Sequence, residues 1–283
     1  MRTCTVSCRR VLPTSTSPDV AAKSRLDAEL VRRGLARSRD HAQALVSAGR
    51  VRVGGLVATK VATAVDAAAS VQVLAGDGED YVSRGGHKLA GALDRLGGPP
   101  VGGRRCLDAG ASTGGFTDVL LRRGASEVVA VDVGYGQLAW SLRTDARVRV
   151  IERTNVRTLT ADTVGLADLL VADLSFISLT LVLPALLSCV AMDGDALLLV
   201  KPQFEAGRDA VGSGGVVRDP AVRAEAVRRV AAAATELGWG TAGVTASPLP
   251  GPAGNVEYFL WLRRGLPDLD SGELAAAIEA GPA

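Results

Sequence analysis

The chain has 283 residues, of which 47% are hydrophobic, a balance typical of a folded globular protein and not of a disordered one. Its formal net charge is only +2, so total charge neither indicates nor excludes a polyanionic partner. The four cysteines are scattered, and the close pair Cys4 and Cys8 has no histidine nearby to complete a zinc site. We therefore expect free thiols, including Cys106 and Cys189, in a reducing cytoplasm.

The first 22 residues are predicted to be a disordered extension, because they contain charged and small polar residues but no apolar core of a secretory signal. The most apolar stretch, residues 177–200, is interrupted by Pro184 and by Asp193-Gly194-Asp195. This pattern predicts a helix, a turn and a strand, and not a membrane span. We expect a cytoplasmic protein without a membrane partner.

The segment from Lys23 to Lys60 is strongly basic, with nine lysines or arginines against three carboxylates. Ser24 and Gly34 are placed to cap and end one short helix, and Ser38 and Gly49 bracket a second. After them, "VRVGGLVATK" places Gly54-Gly55 between two short β-type runs, which predicts a hairpin. The result is a small α+β domain that, with its linker, covers residues 23–82.

From about residue 104 onward, apolar strands alternate with amphipathic helices, which predicts an α/β domain with a mostly parallel sheet covered on both faces. The last two strands, "GTAGVTAS" and "NVEYFLWL", have no helix between them and are predicted to form an antiparallel hairpin at the sheet edge. A flexible loop at residues 212–219 precedes a long helix that starts near Pro220. We predict that this domain spans residues 83–265 and that residues 266–283 form a tail.

Polar residues follow several of the predicted strands directly, and ligands of open α/β sheets bind beyond those carboxyl ends. Asp173 and Lys201 each end a strand in this way. Because an antiparallel final strand begins where its parallel neighbours end, Glu257 is predicted to point toward them. Lys88, on a helix ahead of the first strand, adds a cation. The alternatives are a solvated edge charge for Glu257 and an ordinary surface lysine for Lys88.

A glycine turn follows the first strand of this domain, in "LDAGASTGGF". Glycines at 110, 114 and 115 permit a tight turn and a close approach of a ligand, and Asp132 stands where a ribose-binding carboxylate is expected. Ser112 occupies the place of the second glycine of the dinucleotide pattern, which disfavours a pyrophosphate. The pattern favours a nucleoside cofactor such as S-adenosylmethionine, with a purely structural glycine turn as the alternative.

Several motifs, taken in order, resemble the TlyA family of bacterial ribosomal-RNA 2′-O-methyltransferases and, more broadly, the FtsJ-like methyltransferases. The segment "SRLDAELVRRGLARSRDHAQALVSAGRVRVGG" resembles the alpha-L RNA-binding motif. The stretches "SRGGHKL", "LDAGASTGGF", "VADLSFISL", "VKPQFE" and "GNVEYFLWL" resemble the methyltransferase part. The resemblance covers the chain from about Lys23 to Arg264. It implies a Rossmann-like S-adenosylmethionine-dependent methyltransferase sheet behind an RNA-binding domain.

The resemblance also implies roles for particular residues. The Lys-Asp-Lys-Glu tetrad of the family falls on Lys88, Asp173, Lys201 and Glu257, and Lys201 is the candidate general base for methylation of a cytidine 2′-hydroxyl in ribosomal RNA within ribosomal subunits. The expected cofactor contacts are Asp108, Gly110, Ser112, Gly114, Gly115, Asp132 and Phe176. The expected RNA contacts are Arg25, Arg32, Arg33, Arg37, Arg39 and Arg50. No metal is expected.

One departure concerns the linker, which is basic and contains tryptophan in that family but reads Glu79-Asp80-Tyr81-Val82 here. Three alternative functions stay open. The first is an RNA- or nucleoside-binding protein without catalysis, and the second is another RNA-modifying enzyme, such as a pseudouridine synthase, which would not need the glycine turn. The third is a membrane-active haemolysin, against which the lack of a spanning segment or a basic amphipathic helix argues.

Overall fold

The computed structural model describes residues 23–36, 38–47, 49–74, 81–207 and 211–281. The chain divides into two compact units, Met1–Glu79 and Asp80–Ala283. The predicted extension at residues 1–22 lies outside the described residues, as do Cys4 and Cys8. Cys106 and Cys189 are buried free thiols, as predicted.

The described residues of the first unit form two short helices and five short strands. Its core is formed by apolar side chains such as Leu26, Leu30, Leu45 and Val51, each at most 4% exposed. The elements are β1 (Ser24–Arg25), α1 (Leu26–Arg32), α2 (Arg39–Ser47), β2 (Val51–Val53), β3 (Leu56–Val57), β4 (Ala64–Val65) and β5 (Val71–Val73). One sheet has the order β3-β2-β5 and is antiparallel, and β1 pairs with β4.

The glycine signals of this unit are confirmed, whereas one predicted helix cap is wrong. Gly54 and Gly55 have φ of 58° and 85° and join β2 to β3, as a two-residue hairpin of the primed type requires. Ser24 lies in β1, and the N-cap of α1 is Arg25. The Ser24 hydroxyl donates to Glu29 instead, at 2.9 Å. The Ser24 hydroxyl is therefore bound to the Glu29 carboxylate and does not cap α1.

The second unit is built on a seven-stranded sheet. Its elements are α3 (Arg84–Leu96), β6 (Arg105–Ala109), α4 (Gly115–Arg122), β7 (Glu127–Val131), α5 (Trp140–Arg143), β8 (Val148–Ile151), α6 (Ala161–Val164), β9 (Ala167–Ala172), α7 (Leu183–Ser188), β10 (Val190–Val200), α8 (Pro202–Glu205), α9 (Pro220–Thr235), β11 (Trp239–Ala246), β12 (Tyr258–Arg264) and α10 (Ser271–Glu279). The strand order is β11-β12-β10-β9-β6-β7-β8, and the strands are parallel except β12. Helices cover both faces and bury two hydrophobic clusters against the sheet. This confirms the predicted α/β architecture.

The two last strands pair antiparallel as predicted, but only β11 lies at the edge. β12 is inserted between β10 and β11 and is antiparallel to both. Its apolar side chains are consequently covered on both faces, and Phe259, Leu260 and Leu262 are fully buried. The strand begins at Tyr258, so Glu257 directly precedes it.

The predicted turn at Asp193-Gly194-Asp195 is wrong, because these residues lie inside β10. The register of β10 on β9 shifts between Val190 and Asp195, which marks a bulge in the strand. Asp195 is only 1% exposed and is tolerated because Arg104 pairs with it at 2.6 Å and the Trp261 indole donates to it at 2.9 Å.

The ends of the second unit are also packed. Tyr81 is buried, and the Val82 amide donates to the Asp118 carboxylate at 2.8 Å. At the other end, Asp270 caps α10, whose Leu274 is buried in the core. No helix in the described part of the chain is long and apolar enough to cross a membrane.

Candidate active site

Two lysine–carboxylate pairs lie at the carboxyl ends of the central strands. Lys88 Nζ donates to Glu257 Oε2 at 2.6 Å, and Lys201 Nζ lies 2.5 Å from Asp173 Oδ1. Lys201 also donates to the Ser175 hydroxyl at 3.0 Å. The predicted tetrad is thus brought together as two ion pairs.

Strand register explains why residues so distant in sequence meet. Val200 is opposite Tyr258 in the antiparallel pair of β10 and β12, so Lys201 and Glu257 continue the two strands at the same end. Asp173 follows β9, the parallel neighbour of β10 on the other side. Lys88 reaches this edge from α3. The antiparallel direction of β12 therefore places Glu257 at the same sheet edge as Lys201 and Asp173.

Burial decides between the alternatives left open for two of these residues. Glu257 is 1% exposed and Lys88 is 6% exposed. A solvated edge charge and a surface lysine are both incompatible with these values. A buried charge is stable only when it is paired, and each of the two compensates the other.

A cavity of about 460 Å³ lies beside the pairs, within the size range of small-molecule and cofactor sites. Of the predicted cofactor residues, Gly110, Ser112, Asp132 and Phe176 line it. Asp132 accepts from the amides of Ser112 and Gly134, at 2.8 and 2.7 Å. Since a carboxylate has about four lone-pair sites, Asp132 keeps acceptor capacity for ribose hydroxyls. The cavity therefore fits a nucleoside.

The glycine turn packs tightly against the end of β9. Gly110 has φ of 86°, and a Cβ there would lie 2.5 Å from the backbone oxygen of Asp173. Ser112, in the place of the missing second glycine, also has positive φ, at 48°. The hydrogen bond from the Ser112 backbone amide to Asp132 holds this unusual conformation.

Among the described residues there is no group of three or more His, Cys, Asp or Glu side chains that could hold a metal.

A second cavity of about 200 Å³ adjoins the first. Gly110, Ser112 and Asp173 line both cavities, so the two meet at these residues. Lys88 lines the smaller one, together with Gly115 and residues of the loop before β12. The larger cavity thus suits a cofactor, and the smaller one suits the group that reacts with it.

Two predicted cofactor residues line neither cavity. Asp108 is fully buried beneath the turn, where Thr117 donates to it at 2.6 Å and its other oxygen has no hydrogen-bond partner among the described residues. Burial raises the pKa of Asp108 to about 7. Gly114 is the N-cap of α4, and a Cβ there would lie 2.3 Å from Leu142. Both positions support the turn from within.

Phe176 stands at the rim of the larger cavity with an unusual backbone. Its φ is 64°, its side chain is 91% exposed, and its ring lies 5.3 Å from that of Phe204. Sequence reasoning found Phe176 but missed two polar neighbours in the same region, Ser175 and Glu205. Their only signal was proximity in the chain to Asp173 and Lys201.

The predicted RNA contacts of the first unit differ in what else they do. The Arg33 guanidinium pairs with Glu29 at 2.6 Å and donates to the backbone oxygens of Ala69 and Ala67. Arg50 donates to the backbone oxygen of Leu74 at 3.0 and 2.9 Å. Both side chains therefore hold this unit together.

Arg25, Arg32 and Arg39 are exposed. Arg32 also pairs with Glu29, whose pKa is held well below its usual range by the Arg32 and Arg33 guanidinium groups. Arg37 lies outside the described residues. RNA contact by the whole group stays a prediction.

The fold and the site define a methyltransferase. Residues 81–264 match the model of the FtsJ-like methyltransferase family, and residues 24–71 match the S4 domain. The chain is 62% identical over 245 residues to the 16S/23S rRNA (cytidine-2'-O)-methyltransferase TlyA of Mycobacterium tuberculosis, covering 86% of this chain and 91% of the relative. The chain belongs to the TlyA family of FtsJ-like methyltransferases, as its motifs predict.

Two further relatives extend the comparison. The 23S rRNA (cytidine-2'-O)-methyltransferase TlyA of Campylobacter jejuni is 36% identical over 184 residues, 65% of this chain and 71% of the relative. A solved structure named as a hemolysin of Streptococcus thermophilus is 38% identical, with a TM-score of 0.71, over 92% of this chain and 97% of that one.

Proposed function

We propose that the protein methylates the ribose 2′-hydroxyl of a cytidine in ribosomal RNA, acting on ribosomal subunits in the cytoplasm. The methyl donor is S-adenosyl-L-methionine. The observation that carries the proposal is the pairing of Lys88 with Glu257 and of Lys201 with Asp173 beside a nucleoside-sized cavity. The names of the TlyA relatives support the choice of acceptor.

In this proposal the larger cavity holds the cofactor. Asp132 binds the ribose hydroxyls, the Gly110 turn lets the backbone approach, and Phe176 covers the rim. When bound, S-adenosylmethionine supplies an electrophilic methyl group on a positively charged sulfur. The carboxylate of Asp173, which lines both cavities, favours a positive charge at their junction.

The acceptor ribose lies at the smaller cavity, which Lys88 and Asp173 line, and Lys201 reaches it through its pair with Asp173. A ribose hydroxyl is a weak acid, so the enzyme must place it in line and remove its proton. Lys201 is the group that takes up that proton in this proposal, while Asp173 and Ser175 orient its amine. Lys88 is held by Glu257 and presents a cation to the acceptor side, where it stabilises the oxygen as the proton leaves.

The S4 domain supplies affinity for RNA. Its exposed arginines, Arg25, Arg32 and Arg39, are suited to phosphate contacts, whose strength falls as salt rises. Arg33 and Arg50 contribute by holding the fold that presents the exposed side chains.

The test is methyl transfer from tritiated S-adenosylmethionine to purified ribosomal subunits, followed by mass spectrometry of nuclease-digested RNA. The expected product is 2′-O-methylcytidine, formed by the wild type and lost in Lys201→Ala. Intact cofactor binding without methylation of any subunit would leave a non-catalytic RNA- or nucleoside-binding protein. A methylated base instead of a ribose would overturn the assignment of the hydroxyl.

The hemolysin name of the S. thermophilus structure makes membrane lysis the second function to test. Dye-loaded liposomes should stay intact with this protein at concentrations that methylate ribosomal subunits. Leakage that Lys201→Ala does not reduce would establish lysis as a separate activity.

A further inference from the structure

Glu205 is a buried carboxylate next to the candidate active site. It takes no direct part in the proposed methyl transfer. It is the last residue of α8, four positions after Lys201, and is 4% exposed. Its Oε2 accepts from the Ser178 hydroxyl at 2.6 Å, and its Oε1 accepts from the Leu179 amide at 2.7 Å. Both oxygens are therefore bound to one turn of the chain.

That turn ends the segment of residues 173–179, which we call the β9 loop. The β9 loop begins with Asp173, continues through Ser175 and contains Phe176 in the left-handed region. For a residue other than glycine this backbone conformation is unfavourable, so surrounding contacts must hold it. Five residues of the β9 loop, 173–177, line the larger cavity.

Residues 201–205 contact the β9 loop at two points. At one end Lys201 contacts Asp173 and Ser175, and at the other end Glu205 holds Ser178 and Leu179. A shift of the far contact would move the near one, because only two residues separate Ser175 from Ser178. The geometry of the Lys201–Asp173 pair therefore depends on Glu205.

The partners of Glu205 argue against a simple structural ion pair. The Arg229 guanidinium donates to the backbone oxygen of Glu205, at 2.9 Å. No ion pair within 4.0 Å joins the Glu205 carboxylate to a lysine or arginine of the described residues. Burial raises the pKa of Glu205. The Arg229 guanidinium attracts the carboxylate without forming an ion pair with it. A buried acid in this position is unfavourable unless its two acceptor oxygens are needed.

We propose that Glu205 is a positioning residue that fixes the β9 loop against Lys201 and thereby aligns Asp173, Ser175 and the cofactor cavity for methyl transfer. The inference rests on the proposed function. It assigns to Glu205 no contact with substrate or cofactor.

The test compares Glu205→Ala, Glu205→Gln and Ser178→Ala with wild type, measuring kcat at saturating S-adenosylmethionine, KM for ribosomal subunits, and cofactor affinity by calorimetry. Glu205→Ala is expected to lower kcat about 10- to 100-fold, the effect of a small misplacement of reacting groups, and to weaken cofactor binding. KM for subunits should change little. Glu205→Gln, which can still accept from Leu179 and bond to Ser178, should recover most of the rate.

Ser178→Ala removes one of the two loop contacts and should give an intermediate rate. If Glu205 acts through Ser178, the double variant should be no slower than Glu205→Ala alone, a non-additivity that general destabilisation would not produce. Glu225→Ala is the matched control, because it removes an exposed acid of α9 that pairs only with Arg228 among the described residues. It should behave as wild type.

A wild-type kcat in folded Glu205→Ala overturns the inference. If that variant does not fold, a wild-type rate in Ser178→Ala overturns it instead. Failure of the proposed function is distinguishable, because the wild type itself would then transfer no methyl group to subunits. Calorimetry of S-adenosylmethionine binding to the same variants would still report whether Glu205 keeps the cofactor cavity in its binding conformation.

Discussion

Two sets of charge pairs, one in each unit of this protein, span very different distances along the chain. In the S4 domain, Glu29 pairs with Arg32 and Arg33, three and four residues away on one short helix. In the methyltransferase domain, Lys88 and Glu257 are separated by 169 residues. The local pairs hold a small domain together, whereas the distant pair joins two chain segments at the edge of the sheet that carries the candidate site.

The difference teaches how far charge can be interpreted without a structure. Basic residues of the first unit outnumber its acids, yet part of that charge is already neutralised within the unit by buried Glu29 and Asp27. In the second unit, net charge does not indicate where the candidate site lies. The antiparallel direction of β12 determines that the carboxylate of Glu257 reaches the site. Substitutions in the two kinds of pair should therefore have different effects on catalysis, stability and RNA binding.

Lys201→Ala should have the largest effect. Losing a general base typically lowers the rate about 10²- to 10⁴-fold, and the variant should bind S-adenosylmethionine within a few-fold of wild type because Lys201 lines neither cavity. Single-turnover methylation and calorimetry are the measurements. Arg228→Ala, an exposed cation of α9, is the control. A rate within a few-fold of wild type would exclude Lys201 as the base.

Glu257→Gln should come next, and it should affect both stability and rate. Breaking a buried ion pair leaves the Lys88 ammonium without a countercharge, a loss of about 3 to 5 kcal/mol in the free energy of unfolding. Urea unfolding measures the stability, and methyl transfer to subunits below the unfolding transition measures the rate, which should fall.

A double variant separates these two consequences. Lys88→Met with Glu257→Gln removes both charges, so it should recover much of the lost stability. It should not recover activity, because the cation on the acceptor side is gone. Recovery of activity together with stability would reduce the Lys88–Glu257 pair to a purely structural role.

The two lysine–carboxylate pairs illustrate what could be predicted from the sequence. Strand ends and the reversed final strand pointed to Asp173, Lys201 and Glu257, because parallel topology is strongly constrained by apolar runs and helix alternation. Burial was harder to judge, since a lysine on an amphipathic helix has the same sequence pattern whether it faces water or a partner. The burial of Lys88 could therefore be established only from the structure.

Other features were beyond sequence reasoning for a physical reason. The bulge in β10 keeps Asp193-Gly194-Asp195 inside a strand because Arg104 and Trp261 satisfy Asp195, and both partners are remote in sequence. Likewise, Ser175 and Glu205 find their partners through contacts between the segments that follow β9 and β10. Tertiary partners, not local propensity, decide these positions.

Asp108→Asn should change the pH dependence of stability. Burial raises the pKa of Asp108 to about 7, above the value of about 3.9 in an unfolded chain. The folded state therefore holds a proton that the unfolded state releases, and the contribution of Asp108 to stability falls as pH rises from about 4 to about 7. The amide mimics the protonated acid and removes this loss.

The variant should accordingly be more stable than wild type by a few kcal/mol at pH 8, since one pKa unit corresponds to about 1.4 kcal/mol, and should match wild type near pH 4. Thermal or urea unfolding across this range is the measurement. Asp162→Asn, an exposed carboxylate of α6, controls for the loss of a charge. Equal stability of Asp108→Asn and wild type at every pH would mean that Asp108 is not protonated in the fold.

The smallest effects should separate two neighbouring arginines that the sequence alone treats alike. Arg32 is 62% exposed, whereas Arg33 is 20% exposed and donates to backbone oxygens of the segment before β5. Arg32→Ala should leave folding nearly unchanged but weaken binding to ribosomal RNA fragments and lower the salt dependence by about one phosphate contact. Arg33→Ala should instead lower the free energy of unfolding by about 1 to 3 kcal/mol, the range for lost hydrogen bonds to a charged group, while the salt dependence of the folded variant stays as in wild type. Filter binding over a salt series and urea unfolding of both variants are the measurements. In the reverse outcome, the salt dependence would change only in Arg33→Ala. That result would show that Arg33 breaks its internal contacts to bind RNA phosphate, and that local charge pairs in this domain are replaced by phosphate contacts on binding.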